Sequence, residues 1–416
     1  MREHTDGQEV FEPKRARAII PGLGTVGLTR HLCQEEVFLG SGALTLPDLQ
    51  IHLPAKHIAP QRFERKYIGN LTGLRALAAR WVLFHHFLDD LNFPVISRGY
   101  LGVDVFFVLS GFVLSIVYLP KLPENFNWLW YERFLSRRFA KIYPMHLLTF
   151  ALIAFAIFAG RLYGYHFATT DVENTGWSAL CSVLMIHALG STQHLSWNGG
   201  SWSIGAEWFV YTLVFAPIGL FFRRFRLVWV VLITVLVWSM LLTVCGFFFA
   251  GNIGKITNYG ALRILPEFVA GYLLYRLIYH RRSIRGDLFT AGGMLLVFGV
   301  SLAHLDFTAL LLPAVMVLLT GLYFGGSVTN AIFSSSVMIK LGKASYSIYL
   351  MQGLVHIAFR IILGRFGIDL GSSFVASSVG AVCALLTGVL AFRCFEEPVR
   401  LRLLRLFNVQ LNRPAP

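Results

Sequence analysis

Long apolar runs, separated by short polar links, follow one another along most of the chain. Ten of them approach the ~20 residues that a helix needs to cross a bilayer. They lie at about 71–93, 100–119, 139–160, 201–222, 226–246, 262–279, 287–304, 307–325, 343–364 and 373–393. A shorter run at 177–190 is predicted to be re-entrant or interfacial, because it is too short to span. The pattern predicts an all-α membrane protein with about ten transmembrane helices.

Composition agrees with this fold class and excludes an ordinary soluble domain. Of the 416 residues, 56% are hydrophobic and only 14% are charged, whereas soluble domains have about 25% charged residues. Lys and Arg number 36 against 22 Asp and Glu. In a soluble protein this excess would suggest nucleic-acid binding. Here the basic residues lie in the links between apolar runs, as expected for cytoplasmic loops, so no nucleic-acid partner is predicted.

The same charges predict the topology. If 177–190 is not a span, every basic link falls on one side of the membrane, which the positive-inside rule assigns to the cytoplasm. These links are Arg62/Arg65/Lys66, Arg133/Arg137/Arg138/Lys141, Arg223–Arg226, Arg281/Arg282/Arg285, Lys340/Lys343 and the tail from Arg400. Ten spans with both termini cytoplasmic satisfy this rule.

Three regions are predicted along the chain. Residues 1–66 are rich in Pro, Gly and charge and have no apolar run of spanning length, which is typical of a poorly ordered cytoplasmic extension. Residues 67–405 form the transmembrane domain, and residues 406–416 form a cytoplasmic tail. The five Cys show no spacing typical of metal ligands, so no metal site is expected.

Four ionisable residues within the apolar runs are candidates for function, because such groups are costly in a bilayer and usually face a bundle interior or a wet cavity. Arg75 and His86 are 11 residues apart, which places them on one stripe of a helix with a rise of about 16 Å. Asp104 and Glu207 begin two other runs. Each has a structural alternative: an interfacial anchor for Arg75, a tie between helices for His86, a carboxylate at a helix start for Asp104, and a structural role for Glu207. Asp104 is also a candidate partner that would orient the imidazole of His86.

A basic segment, RFLSRRFAKIYP at 133–144, precedes the third run. Arg137, Arg138 and Lys141 suit the binding of phosphate groups, and Arg75 opens on the same side. An ordinary positive-inside loop would have the same composition.

At these positions the chain resembles the acyltransferase 3 family of multi-pass membrane enzymes. The motifs that carry the resemblance occur in the family's order over roughly 68–405. They are Arg75 with His86, the stretch Gly102–Phe112, the group Arg137/Arg138/Lys141/Ile142/Tyr143/Pro144, the group Trp202/Ser203/Glu207, and the two segments Ser345–Leu350 and Glu396–Arg400 near the end. There are two departures: Gln352 stands where family members often have His, and Lys141 stands where Arg is usual, which keeps the charge but loses the bidentate fork.

The resemblance implies an enzyme of the cell (inner or plasma) membrane that transfers an acyl group from acyl-CoA to a hydroxyl-bearing acceptor such as a saccharide. Acyl-CoA would be a co-substrate, with no resident cofactor. Arg75, Arg137, Arg138 and Lys141 would bind the donor.

His86 would act as general base, assisted by Asp104 or Glu207, or would carry the acyl group covalently. Trp202 and Tyr211 would either stack on a sugar at the far side or belong to an interfacial aromatic belt. The acyl group, acetyl or succinyl, and the acceptor remain open.

Two other function classes are compatible with the charged residues. A secondary transporter would use Arg75, His86, Asp104 and Glu207 as an ion pathway, although the chain lacks the matching interrupted helices of repeat-built transporters. A non-catalytic membrane subunit would not depend on any of the four.

Overall fold

The structure is a computed structural model. It describes residues 17–20, 24–27, 60–162, 174–249, 256–279, 281, 284–303, 308–367, 370 and 373–407. The chain forms two units, Met1–Ile58 and Ala59–Pro416.

In the first unit, strands β1 (Arg17–Ile20) and β2 (Gly24–Gly27) pair antiparallel, with Arg17 opposite Gly27. The predicted disorder of 1–66 falls mostly outside the described residues.

The second unit is helical wherever it has regular structure among the described residues. Its helices are α1 Pro60–Leu88, α2 Pro94–Ser97, α3 Gly102–Tyr118, α4 Trp128–Leu162, α5 Gly176–Val183, α6 Trp202–Phe209, α7 Phe215–Phe222, α8 Leu227–Phe249, α9 Gly260–Ile278, α10 Gly286–Leu302, α11 Thr308–Phe324, α12 Ser327–Phe333, α13 Ser336–Gly364, α14 Phe374–Ala391 and α15 Glu397–Leu406. Wider π-helical turns, Val210–Val214 and Phe392–Glu396, join α6 to α7 and α14 to α15. Helix α1 begins at a proline, which suits the first turn of a helix, so the predicted boundary at residue 67 falls inside this helix.

All ten predicted apolar runs contain helix, but they differ in length and polarity. Six helical segments of the described chain are long and apolar enough to span: Gly99–Lys121, Trp128–Leu162, Gly199–Phe222, Leu227–Phe248, Ser336–Gly364 and Phe374–Leu406. A seventh is the pair Leu310–Phe324 and Ser327–Phe333, bent by 99°. The 17 residues of α10 are apolar but shorter, and α1 and α9 interrupt their apolar runs with charged residues or His. By length and apolarity, six or seven of the ten predicted spans are found, in an all-helical multi-pass membrane protein.

The run at 177–190 does not form a spanning helix. It contains α5 and a single 3₁₀ turn at His187–Leu189. Its length therefore agrees with the prediction of a re-entrant or interfacial segment.

Two close helix pairs position the candidate site. Helix α3 packs on α9 through glycines: a Cβ on Gly111 would lie 2.1 Å from the Phe268 carbonyl oxygen, and one on Gly271 would lie 2.2 Å from that of Val108. Helix α1 packs on α13 in the same way, since a Cβ on Gly342 would lie 1.9 Å from the Thr72 carbonyl oxygen. Small residues allow such backbone contact between membrane helices. As a result, α3 and α13 flank the stripe of α1 that carries Arg75.

Candidate functional site

Arg75 and Glu207 line one cavity, although they are 132 residues apart in sequence. Its volume is about 40 Å³, enough for water-sized molecules. The other lining residues come from α3, α6 and α13: Val103, Phe106, Phe107, Ser203, Ile204, Ser345, Tyr346 and Tyr349. The structure thus brings a predicted donor-binding residue and a predicted catalytic residue together.

Arg75 is half-buried and only weakly engaged by the protein. Its Nε donates a long hydrogen bond of 3.4 Å to the Ser345 hydroxyl, and its guanidinium lies 5.5 Å from the ring centre of Phe106. The described residues provide no carboxylate partner for it. A guanidinium has five N–H donors, so Arg75 retains donors for an oxygen-rich ligand in the cavity.

Glu207 is held by two hydroxyl groups. Its Oε1 accepts a hydrogen bond of 2.8 Å from Ser110 and another from the hydroxyl of Tyr211, in the π-helical turn after α6. The carboxylate is thereby fixed at the cavity wall beside Arg75.

The two aromatic residues predicted at a sugar-binding mouth lie inside the bundle. Tyr211 is 4% exposed, and its hydroxyl is bonded to Glu207. It follows Glu207 by four residues, a rise of about 6 Å toward the end of the bundle that carries the basic segment. Trp202 is 6% exposed, with its ring over the Arg263 guanidinium at 5.2 Å and edge-on to Phe107. Neither ring offers an open face for stacking on a sugar.

Asp104 is paired with Arg263 and not with His86. Arg263 donates from Nε to Oδ1 at 2.8 Å and from Nη2 to Oδ2 at 2.6 Å. Both residues are 1% exposed. The guanidinium fork therefore uses both oxygens of Asp104, and this carboxylate is not free to orient the imidazole of His86.

A third buried charged residue, Glu267, lies one helical turn after Arg263 and beside Asp104. Neither of its carboxyl oxygens has a hydrogen-bond partner among the described residues. Neither Arg263 nor Glu267 was singled out from the sequence. The sequence does contain a signal for them, because both are charged residues within one apolar run and lie four residues apart.

Two of the three predicted cations of α4 are engaged inside the bundle. Arg138 donates to the Tyr118 hydroxyl at 2.8 Å and lies over the ring of Tyr211 at 5.7 Å. Lys141 forms an ion pair with Glu396, which also accepts a hydrogen bond from Ser347.

Arg137 is half-buried and makes no hydrogen bond or ion pair within the described residues. Of the three predicted donor-binding cations of α4, it is therefore the most available to a phosphate. Glu396, which fixes Lys141, was not singled out from the sequence.

His86 lies on the Arg75 stripe but near the end of α1, two residues before Leu88, and its side chain is exposed. Its Nδ1 lies 2.9 Å from the Val82 carbonyl oxygen, which can only accept a hydrogen bond, so Nδ1 carries the proton and Nε2 has the lone pair. In the described part of the chain Nε2 has no hydrogen-bond partner. His86 is therefore placed as an accessible base outside the cavity of Arg75.

Comparison with known proteins supports the resemblance. The acyltransferase 3 family, described as an acyltransferase domain, matches residues 68–393. The chain is 29% identical over 166 residues to the peptidoglycan O-acetyltransferase OatA of Listeria monocytogenes, covering 37% of this chain and 25% of that protein. It is 35% identical over 102 residues to the acyltransferase MdmB of Streptomyces mycarofaciens, covering 22% and 24%.

A third relative, the putative peptidoglycan O-acetyltransferase YrhL of Bacillus subtilis, is 27% identical over 167 residues, covering 39% of this chain and 25% of that protein. The aligned regions thus span about a quarter of the length of these relatives, and no solved structure matches the chain. The family match extends over most of the helical unit and includes Arg75, His86 and Glu207. The chain therefore belongs to the acyltransferase 3 family, as a multi-pass membrane protein.

Proposed function

We propose that the protein transfers an acetyl group from acyl-CoA, bound at the basic end of the bundle, to a hydroxyl group of a saccharide or related acceptor at the His86 end. The basic end is the end that carries Arg133, Arg137 and Arg400; the positive-inside rule assigns it to the cytoplasm, where acyl-CoA is found. The names of the OatA and YrhL relatives, peptidoglycan O-acetyltransferases, favour acetyl and a saccharide.

One observation carries the proposal. Helix α1 holds a guanidinium with free donors inside a cavity and, about 16 Å further on the same stripe, an imidazole with an accessible lone pair. The first group suits the oxygens of a donor, and the second suits the proton of an acceptor. A single rigid helix sets the distance between them.

The donor is proposed to enter past Arg137, which is free to bind phosphate, and to extend its flexible arm past Arg75. Arg138 and Lys141 line the inner wall of this route, where Tyr118 and Glu396 hold them. Glu207, fixed by Ser110 and Tyr211, faces Arg75 across the cavity. The cavity of about 40 Å³ is smaller than the donor's arm, so donor binding requires the surrounding helices to separate.

In the transfer step the acceptor oxygen attacks the thioester carbonyl carbon. An ester C–O bond forms and the C–S bond breaks, while Nε2 of His86 takes the hydroxyl proton and passes it to the leaving thiolate, giving free CoA as the thiol. Asp104, engaged by Arg263, acts in this scheme by fixing α3 against α9. A covalent acyl-His86 intermediate gives the same products.

The test uses purified protein in liposomes with labelled acetyl-CoA and a panel of acceptors: oligosaccharides of N-acetylglucosamine, oligosaccharides of glucose, and a cell extract. Label is followed into free CoA and into the acceptors. We expect acceptor-dependent release of CoA and a labelled ester. Uptake of label into the vesicles without any ester, by folded protein, would contradict the proposal and favour a transporter.

Replacing Arg75 with Gln is expected to raise the KM for acetyl-CoA by about tenfold to a hundredfold, because a charge-assisted hydrogen bond contributes about 1.5–3 kcal/mol. Arg75→Lys should keep part of the affinity, since it retains the charge but not the fork.

Arg80→Gln is the matched control for Arg75→Gln. It removes another arginine of α1, one whose side chain turns instead to the Ala76 carbonyl and the Met338 sulfur. An equal rise in KM for both variants would show that Arg75 has no specific role in donor binding.

A further inference from the structure

Helices α1 and α13 pack in parallel and in register over four turns. Thr72 meets Gly342, Arg75 bonds to Ser345, and the ring of Phe87 lies edge-on to that of His356, with centres 5.3 Å apart. The residue numbers in these pairs differ by 270, 270 and 269. Each position on the Arg75 stripe therefore has a neighbour on α13 about 270 residues later.

The register places His356 opposite His86. On α1 the stripe runs Arg75, Ala79, Val82, His86, and on α13 it runs Ser345, Tyr349, Gln352, His356; both have spacings of four, three and four residues. Residues with these spacings share one face of a helix. The two imidazoles thus lie at the same level, at the same end of two paired helices.

No hydrogen bond within the described residues explains why the polar ring of His356 lies at this level. It is half-buried, its ring packs on Phe87, and within the described residues neither ring nitrogen makes a hydrogen bond. Arg360, one turn further along α13, and His86 are the charged or titratable groups that act on it. A neutral imidazole offers one donor and one acceptor, and both are available here.

The residues of α13 between Ser345 and His356 continue the route from the cavity. Tyr349 is part of the cavity wall; it accepts a hydrogen bond from Ser203 at 2.9 Å and donates to the Gly200 carbonyl at 2.8 Å. Gln352 is 2% exposed, and its Oε1 has no hydrogen-bond partner among the described residues. The α13 face therefore presents polar groups at each turn beside the stripe of α1.

We infer that His356 is a second imidazole of the acceptor site, where it binds a hydroxyl group of the acceptor next to the one that His86 deprotonates. This inference rests on the proposed function and narrows its acceptor class to molecules with neighbouring hydroxyl groups, as in a sugar ring. His86 acts on the attacking oxygen. His356 orients the molecule by a hydrogen bond to the adjacent oxygen and takes no proton in the reaction.

The test measures kcat and the two KM values separately for His356→Ala and His356→Gln, with the best sugar acceptor of the panel and labelled acetyl-CoA. We expect His356→Ala to raise the acceptor KM about tenfold, the worth of one neutral hydrogen bond, and to leave the donor KM within twofold. His356→Gln should recover part of the loss, because its amide also donates. His194→Ala, which removes an exposed imidazole of a loop, should behave as wild type.

A further variant separates the role of the imidazole from that of packing. In Gln352→His/His356→Gln the ring moves back by one turn on the same face, and we expect an acceptor KM closer to wild type than that of His356→Ala. The same acceptor KM in folded His356→Ala and wild type would overturn the inference. If His356→Ala fails to fold, two results together would overturn it: folded His356→Gln has the acceptor KM of wild type, and a monohydroxyl acceptor is used as efficiently as the sugar.

The result for His86 separates failure of the inference about His356 from failure of the proposed function. If transfer depends on His86 but not on His356, only the inference about His356 fails. If wild type transfers no acyl group to any acceptor, the proposed function fails with it.

Discussion

Replacing His86 with Ala or Gln lowers kcat for acyl transfer by about 10²–10⁴-fold, the usual contribution of a general base, and leaves the KM for acetyl-CoA nearly unchanged. The expectation follows from the tautomer: the Val82 carbonyl fixes the proton on Nδ1, so Nε2 is the basic atom and nothing in the described structure occupies it. Single-turnover transfer to a sugar acceptor, measured beside steady-state release of CoA, gives both quantities.

His85→Gln is the matched control for this experiment. His85 is the preceding residue, rotated by about 100° from the stripe, and it faces the carboxylate of Asp89 at 3.7 Å. We expect its turnover to stay within a few-fold of wild type. Undiminished turnover in folded His86→Ala would remove His86 from the mechanism, whereas equal losses in the two variants would indicate a structural role for the His pair.

The same preparation separates a general base from a covalent route. Without acceptor, wild type is mixed with labelled acetyl-CoA and the protein is quenched rapidly. Label retained on the protein, and lost in His86→Ala, indicates an acyl-His86 intermediate. Protein without label, with rapid transfer once acceptor is added, indicates direct attack on the thioester.

Spacing along one helix was the part of the site that the sequence could predict. Arg75 and His86 share a stripe because 11 residues make nearly three whole turns, and the structure keeps both on α1. The sequence could not predict which helix lies opposite. The partners of Asp104, Lys141 and Arg75 are 159, 255 and 270 residues away, and no local pattern encodes such pairings.

Long-range pairing also explains the burial of Trp202. A Trp near the start of an apolar run is common at a membrane interface. Trp202 is instead buried, because Gly260 leaves room for its ring and Arg263 lies against the ring face. A Cβ on Gly260 would lie 2.7 Å from the Trp202 ring. The count of spans was affected in a similar way. Arg75 of α1 and Arg263 and Glu267 of α9 lie inside the bundle, so apolar length alone does not identify these helices.

Replacing Arg263 with Met is expected to cost about 3–5 kcal/mol of stability, because it leaves a buried carboxylate without its partner. Arg263 and Asp104 are both 1% exposed, and a second carboxyl group, that of Glu267, is buried beside them. A single guanidinium thus compensates the charge of this cluster and joins α3 to α9. Thermal unfolding of the purified protein in detergent, followed by tryptophan fluorescence, measures the loss.

Two further variants make the Arg263 result specific. Arg365→Met removes an exposed arginine at the end of α13 and should change the unfolding midpoint little, as expected for a surface substitution. The double variant Asp104→Leu/Arg263→Met should recover much of the lost stability, because apolar replacement of a whole buried ion pair is often neutral or stabilising.

If Arg263→Met is as stable as Arg365→Met, the pair is not what holds α3 against α9, and the close glycine contacts of Gly111 and Gly271 suffice for that packing. If the double variant recovers stability but not acyl transfer, then the position of α3 is set by packing while Asp104 itself is required for the reaction.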